Sequence, residues 1–301
     1  MTDEPSPLPV SEQAREPYKG LRPYEEQDQD YFFGRDADRD ILIDKILANK
    51  LTSLFAATGV GKSSLLQAAV MPRLKDPRHE HLDVVYFRDW VADPLFELKR
   101  TALKVLQERG RLDSGIPLEE LSGSSLTEFF QFCALFARQP LVVILDQFEE
   151  FFQYQRYTED FQPFIQQLSA IITDRDTSIA LVISMREDFA LELNAFKPYL
   201  PTLLFENFYR LEKLDKESAK TAIVQPAELV GFHYEPALLD ELLKDLVVRE
   251  QNSRGKTPIV EIMDTVEPPY LQITCSQLWN LEQLNPEKTV RLKTYEDRKC
   301  K

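Results

Sequence analysis

The residues Ala56-Ala-Thr-Gly-Val-Gly-Lys-Ser-Ser64 have the types and the spacing to hold a phosphate group. An apolar run, Leu51-Thr-Ser-Leu-Phe55, precedes them, and an amphipathic one, Leu65-Leu-Gln-Ala-Ala-Val70, follows. Strand, glycine-rich turn, Lys-Ser and helix is the layout of a phosphate-binding loop. Gly59 and Gly61 have no Cβ, so the backbone there can curl and approach an anion closely. Its amides then point inward at the start of a helix, where the helix dipole favours negative charge. Lys62 would reach the β- and γ-phosphates of a nucleotide, and the Ser63 hydroxyl would ligate Mg²⁺. The pattern G-x-x-x-x-G-K-[ST] has one departure, since Ala56 stands at its first glycine. Alanine is small and fits there provided its φ is negative.

Such a loop needs an acid to hold the metal. The apolar run Leu141-Val-Val-Ile-Leu145 ends in Asp146, followed by Gln147-Phe148-Glu149-Glu150. A strand of this kind is buried on both faces of a parallel sheet, and ligands bind beyond the carboxyl ends of such strands. Asp146 is therefore the expected Mg²⁺ ligand, directly or through water. Its other possible role is to cap the helix that follows. Glu149 and Glu150 are candidates for the general base that deprotonates an attacking water. Both also suit a solvated first helical turn. Gln147 stands where many ATPases carry Glu, and would orient water instead. A strand over 179–183 is expected between the loop strand and the Asp146 strand. It ends in Ser184-Met185-Arg186, where a polar residue would touch the γ-phosphate and report its loss. The alternative for Arg186 is a surface pair with Glu187 or Asp188. Guanine readers carry Asn-Lys-x-Asp after the loop. Asn49-Lys50 precedes the loop and lacks that Asp, so adenine is favoured.

The elements that must position these groups follow from periodicity. Helices are expected over 37–50, 63–74, 94–109, 126–137 and 161–172, and strands over 51–57, 84–87, 141–145, 179–183 and 204–209. From Leu214 the texture changes to helices alone, over 219–230, 236–248 and 269–284, with Ile259-Val-Glu-Ile262 the one β-branched run between them. Strands alternating with helices, then helices only, reads as an α/β domain followed by a helical one. Residues 1–16 are rich in Pro, Ser and acids and read as a disordered tail. The aromatic segment Pro17-Tyr-Lys-Gly-Leu-Arg-Pro-Tyr24 reads as a lead-in that packs on something.

The 301 residues carry 50 acidic and 36 basic side chains, a net charge of −14. That balance argues against direct binding along a nucleic-acid backbone. Three widely spaced cysteines fit a reducing, cytoplasmic setting, and His79 and His81 have no cysteine nearby to make a zinc site. The N-terminus lacks the pattern of a signal peptide, and no apolar run reaches the length of a membrane span.

Together the blocks resemble a novel STAND NTPase domain, a bacterial branch of the signal-transduction ATPases with numerous domains. The resemblance rests on Pro17–Tyr24 with Tyr31-Phe-Phe-Gly-Arg35, on Thr58-Gly-Val-Gly-Lys-Ser-Ser64, on Val142-Val-Ile-Leu-Asp-Gln-Phe-Glu-Glu150 and on Ser184-Met-Arg-Glu-Asp-Phe189. A weaker block joins Gln225-Pro-Ala-Glu-Leu-Val-Gly231 to Pro268-Pro-Tyr-Leu-Gln272 and Leu278-Trp279. It implies an ATP- and Mg²⁺-binding P-loop NTPase of the ASCE type over 17–212, with parallel strand order 5-1-4-3-2 and helices on both faces. A helical lid over 213–301 follows, ending where a winged-helix segment is expected. It implies that Thr58, Gly59, Val60, Gly61, Lys62, Ser63 and Ser64 surround the phosphates. Phe33, Gly34 and Arg35 lie near base and ribose, Glu149 is the base, Arg186 is the sensor and Pro269 closes over the nucleotide. Pro268-Pro269 departs from the family, where many members carry a Gly- or Leu-containing turn before the proline.

The function expected from this is an ATP-driven switch with slow hydrolysis and nucleotide-controlled self-association in signalling or defence. Effector and repeat domains of the family lie outside this chain. A scaffold that holds ATP without turning it over is the alternative. A DNA-dependent ATPase is opposed by the charge and by Gln147, and a small-molecule kinase by the lack of an Arg cluster in the helical part.

Overall fold

The computed structural model describes residues 16–112, 123–138, 140–200, 206–254 and 259–299. The expected tail, apart from Glu16, lies outside these residues, as do Leu204 and Phe205 at the start of the expected fifth strand.

The apolar runs become one parallel sheet. Its strands are β1 (Leu51–Ala56), β2 (Val84–Phe87), β3 (Leu141–Leu145), β4 (Ile179–Arg186) and β5 (Phe208–Arg210), in the order β2-β3-β4-β1-β5. Every neighbouring pair is parallel. This is the expected order, with β4 between the loop strand and the Asp146 strand, and the fold is that of a P-loop NTPase. Strand alternation sorts the side chains into two cores. Leu141, Val143, Leu145, Leu181 and Ile183 join one cluster, while Val142, Ile144, Ala180 and Val182 join the other.

Two helices cover the second face. They are α1 (Asp36–Ala48) and a helical run over 62–75, α2, whose middle turn Leu65–Val70 is wound in π geometry. The first face carries α3 (Pro94–Glu108), α4 (Leu126–Ala134), α5 (Glu149–Gln155) and α6 (Phe161–Thr173). Local chemistry starts two of these: Asp93 accepts from the amides of Leu95 and Phe96, and Ser125 forms a capping box with Glu128. Trp90 is fully buried there, with ring centroids of Phe87, Phe148, Phe151 and Phe164 at 4.8, 5.1, 5.8 and 5.8 Å. Its indole donates to the Asp146 carbonyl at 2.8 Å, so the aromatic core also fixes the end of β3.

After β5 come β6 (Leu214–Asp215), α7 (Lys216–Leu229), β7 (His233–Tyr234), α8 (Pro236–Leu246), β8 (Val247–Arg254), β9 (Ile259–Val266), α9 (Pro268–Glu282), β10 (Thr289–Val290) and α10 (Leu292–Lys299). The three expected helices are present, and Asp215 caps α7 by accepting from the Ser218 amide at 2.7 Å. The expectation of helices alone is corrected. β6, β9 and β8 form an antiparallel sheet, and β10 pairs with β7 in parallel. The helix expected to run through Val248 stops at Leu246, because Val247 and Val248 pair with Val266 and Thr265. β-branched side chains favour that extended backbone.

A third core holds this part together, with Ile223, Leu238, Leu242, Leu271, Cys275 and Trp279. Tyr18, from the N-terminal lead-in, is buried in it, and Tyr234 donates to the Tyr18 hydroxyl at 3.1 Å. The lead-in therefore straps the C-terminal helices to the sheet. Among the described residues no helix is long and apolar enough to cross a membrane.

Candidate nucleotide-binding site

The loop after β1 opens into a cavity of about 410 Å³. Thr58, Gly59, Val60, Gly61, Lys62, Ser63 and Ser64 line one side, and Phe33, Arg35, Glu149, Arg186 and Pro269 are among the residues lining the others. Ala56, the departure from the loop pattern, is the fully buried last residue of β1 and has no positive φ. No left-handed backbone is needed where the pattern carries its first glycine. The left-handed positions are Gly59, at φ 80°, and Gly61, at φ 106°, immediately before α2. A Cβ on Gly59 would stand 3.0 Å from the Pro269 ring. That contact brings the C-terminal helix α9 directly onto the phosphate loop.

Lys62 is mostly withdrawn from solvent, and its ammonium donates to the Ala56 carbonyl at 3.3 Å. Burial lowers its pKa, while the carboxylates of Glu149 and Asp146 pull it back up. Asp146 is fully buried. Its Oδ2 accepts from the Tyr86 hydroxyl at 2.7 Å, and its Oδ1 has no protein partner. The Ser63 hydroxyl hydrogen-bonds to Tyr86 as well, so Tyr86 joins the two expected metal ligands. Burial raises the Tyr86 pKa first, and the Asp146 charge adds to it.

An orphaned carboxylate oxygen on Asp146, whose other oxygen is linked to Ser63 through Tyr86, fits Mg²⁺. No cluster of three or more His, Cys, Asp or Glu exists among the described residues.

Glu149 is buried, and its Oε2 accepts from the Arg186 amide at 3.2 Å. Glu150 is half-buried and does not line the cavity. Burial raises its pKa, with Glu149 and Asp146 adding to the shift. Gln147 lines the cavity from a left-handed backbone, at φ 54°. Arg186 lies over the Phe189 ring at 5.1 Å, and its Nε donates to Asp188 at 3.0 Å. The surface pair weighed for Arg186 is thus present, on a side chain that also lines the cavity.

Around the expected base pocket the three residues differ. Phe33 lines the cavity. Gly34, at φ 83°, would place a Cβ 2.3 Å from the Ser218 carbonyl, and it packs on α7 without lining the cavity. The Arg35 guanidinium donates to the carbonyls of Val60 at 3.0 Å and Glu212 at 2.9 Å, and to Asp38 at 2.9 Å. It ties the phosphate loop to the segment leading into the C-terminal part.

A family model described as Novel STAND NTPase 1 matches residues 17–299. The chain belongs to the novel STAND NTPase 1 family. No curated protein matches it. Its fold is similar to the Walker-type ATPase PABY2304 of Pyrococcus abyssi. That match has a TM-score of 0.60 and 14% identity over 87% of this chain and 71% of that one. The ADP form of the Aeropyrum pernix ORC2 protein matches with a TM-score of 0.56 and 15% identity, over 86% and 66% of the two chains. Cdc6p from Pyrobaculum aerophilum matches with 0.53 and 16%, over 85% and 64%. The chain spans about two thirds of the length of these structures.

Several cavity residues of this STAND NTPase were not assigned to the site from sequence. Residues 20–24 form a wall, held by Gln272 of α9, which accepts from the Lys19 amide at 3.2 Å and the Tyr24 hydroxyl at 3.0 Å. The Tyr24 amide donates to the Ser64 hydroxyl at 3.1 Å. Arg88, exposed at the end of β2, also lines the cavity. Tyr86 was findable, because strand alternation puts it on the same sheet face as Asp146.

Proposed function

We propose that this chain is an ATP-driven molecular switch. Mg-ATP binds in the cavity between a core over 17–212 and a C-terminal lid over 213–301, and the nucleotide state controls self-association in signalling or defence. The observation that carries this reading is the close approach of Pro269 to Gly59, which supports a lid that closes on the phosphate loop. A ligand that binds the closed arrangement better shifts the population toward it by that preference alone.

In this reading Lys62 binds the β- and γ-phosphate oxygens, and the loop amides of Gly59, Val60 and Gly61 cradle them. Ser63 and Asp146 hold Mg²⁺, which when bound neutralises charge on the phosphates. Glu149 orients and deprotonates the attacking water, with Glu150 as the other candidate. Arg186 leaves Asp188 to meet the γ-phosphate. Phe33 contacts the base. Gly34 allows the close approach to α7, and Arg35 holds the loop and the lid strap in register. Pro269 closes the roof.

One observation favours a second reading, a scaffold that holds ATP without turnover. Glu149 is already engaged by the Arg186 amide and Arg186 by Asp188. Turnover and particle size separate the two. The switch predicts slow ATP hydrolysis and a larger species on size exclusion with a non-hydrolysable ATP analogue than with ADP. ATP retained through purification with no hydrolysis at high protein concentration, and one elution volume in both nucleotides, supports the scaffold.

A further inference from the structure

Two buried oxygen atoms near the loop have no protein partner: Asp146 Oδ1 and Ser184 Oγ. Both residues are fully buried. They are also neighbours. In the parallel pairing of β3 with β4, Leu145 stands opposite Ile183, and the Phe148 amide donates to the Ser184 carbonyl at 2.9 Å. Asp146 and Ser184 are the next residues of the two chains. Alternation puts them on one face of the sheet, since Ile144 and Val182, two residues earlier, share the core under α1 and α2. On the other side β4 pairs with the loop strand, Ser184 opposite Leu54. The hydroxyl thus stands between the metal acid and the strand that leads into the phosphate loop.

Burying a hydroxyl without a partner costs free energy, and native structures rarely leave one so. A carboxylate that ligates a metal is in turn oriented by hydrogen bonds from groups that do not touch the ion. Tyr86 provides one such bond, to Oδ2. Nothing in the protein provides one to Oδ1, and Ser184, on the adjoining strand with its own hydroxyl unpartnered, is the neighbouring residue.

We infer that Ser184 is a positioning residue of the Mg²⁺ site, whose hydroxyl hydrogen-bonds on the Oδ1 side of Asp146 when the ion is bound. It rests on the nucleotide-binding reading above and adds a residue to it. The hydroxyl serves the bound state, so apo protein gains nothing from it.

Ser184→Thr and Ser184→Val test this, because they have nearly one shape and differ in the hydroxyl. The readout is binding of a fluorescent ATP analogue to the full chain as Mg²⁺ is titrated, with a parallel measurement in EDTA. The Val variant should need about tenfold more Mg²⁺ for half-saturation than the Thr variant. Both should bind the analogue equally in EDTA. Ser184→Ala covers the case in which the larger side chains do not fit, and should need more Mg²⁺ than the unaltered protein. Its melting temperature without nucleotide should be unchanged or higher, and its gain on adding Mg-ATP smaller. Coincident Mg²⁺ curves for Thr and Val overturn the inference and leave the nucleotide site standing. A lower apo melting temperature for Ala with an unaltered Mg²⁺ curve also overturns it, and assigns Ser184 to packing. Unaltered protein whose binding ignores Mg²⁺ overturns the metal-site reading and the inference together.

Discussion

Lys62→Ala should abolish measurable affinity for Mg-ATP, with a loss of about 100-fold or more in Kd, roughly 2.8 kcal/mol at 1.4 kcal/mol per decade. The ammonium sits at the start of α2, largely desolvated, with Glu149 and Asp146 near enough to hold its charge. Charge-assisted hydrogen bonds from such a group contribute about 1.5–3 kcal/mol each, and phosphate oxygens accept more than one. Truncation also leaves two buried carboxylates facing an anionic ligand without their counter-charge, which adds repulsion to the lost attraction. The measurement is isothermal calorimetry with Mg-ATP, after the variant's circular dichroism is shown to match the unaltered protein. Tight binding by the variant would contradict the assignment of the loop.

Glu149→Gln should retain Mg-ATP binding and lose turnover by about 10²–10⁴-fold, the range a general base contributes. The substitution keeps the shape of the side chain and an acceptor for the Arg186 amide, so the local hydrogen bond at 3.2 Å survives while the base does not. Glu149 is favoured over its neighbour by position. It lines the cavity and is buried, whereas Glu150 lies outside the lining. Single-turnover hydrolysis separates chemistry from release. An unaltered rate would move the role to Glu150 or to Gln147, which faces the cavity from its left-handed backbone.

The parts of the fold that could be read from sequence are those with dense local signals. Leu141–Leu145 and Leu51–Ala56 are unbroken apolar runs, and such runs have one common use, a strand covered on both faces. The loop has a fixed spacing. The strand order came through resemblance to the family and agrees with the observed sheet. What could not be read depends on partners far along the chain. β8 is polar at Arg249-Glu-Gln-Asn-Ser-Arg254, so neither period nor propensity marks that stretch, and its register with β9 exists only through pairing. Tyr86 and Asp146 stand 60 residues apart. Arg35 reaches Glu212 across 177 residues, and Tyr24 reaches Gln272 across 248. The sequence marked Pro17–Tyr24 as a segment that packs, but not that it would be one wall of the cavity.

In the proposed switch, nucleotide sits between the phosphate loop and the C-terminal helices. Amide hydrogen exchange of the full chain, with and without Mg-ATP, measures this most directly. Exchange should slow in three places together: the loop over 58–64, the strap over 20–24 and the first turns of α9 over 270–274. Slowing confined to 58–64, with the strap and α9 unchanged, would contradict it.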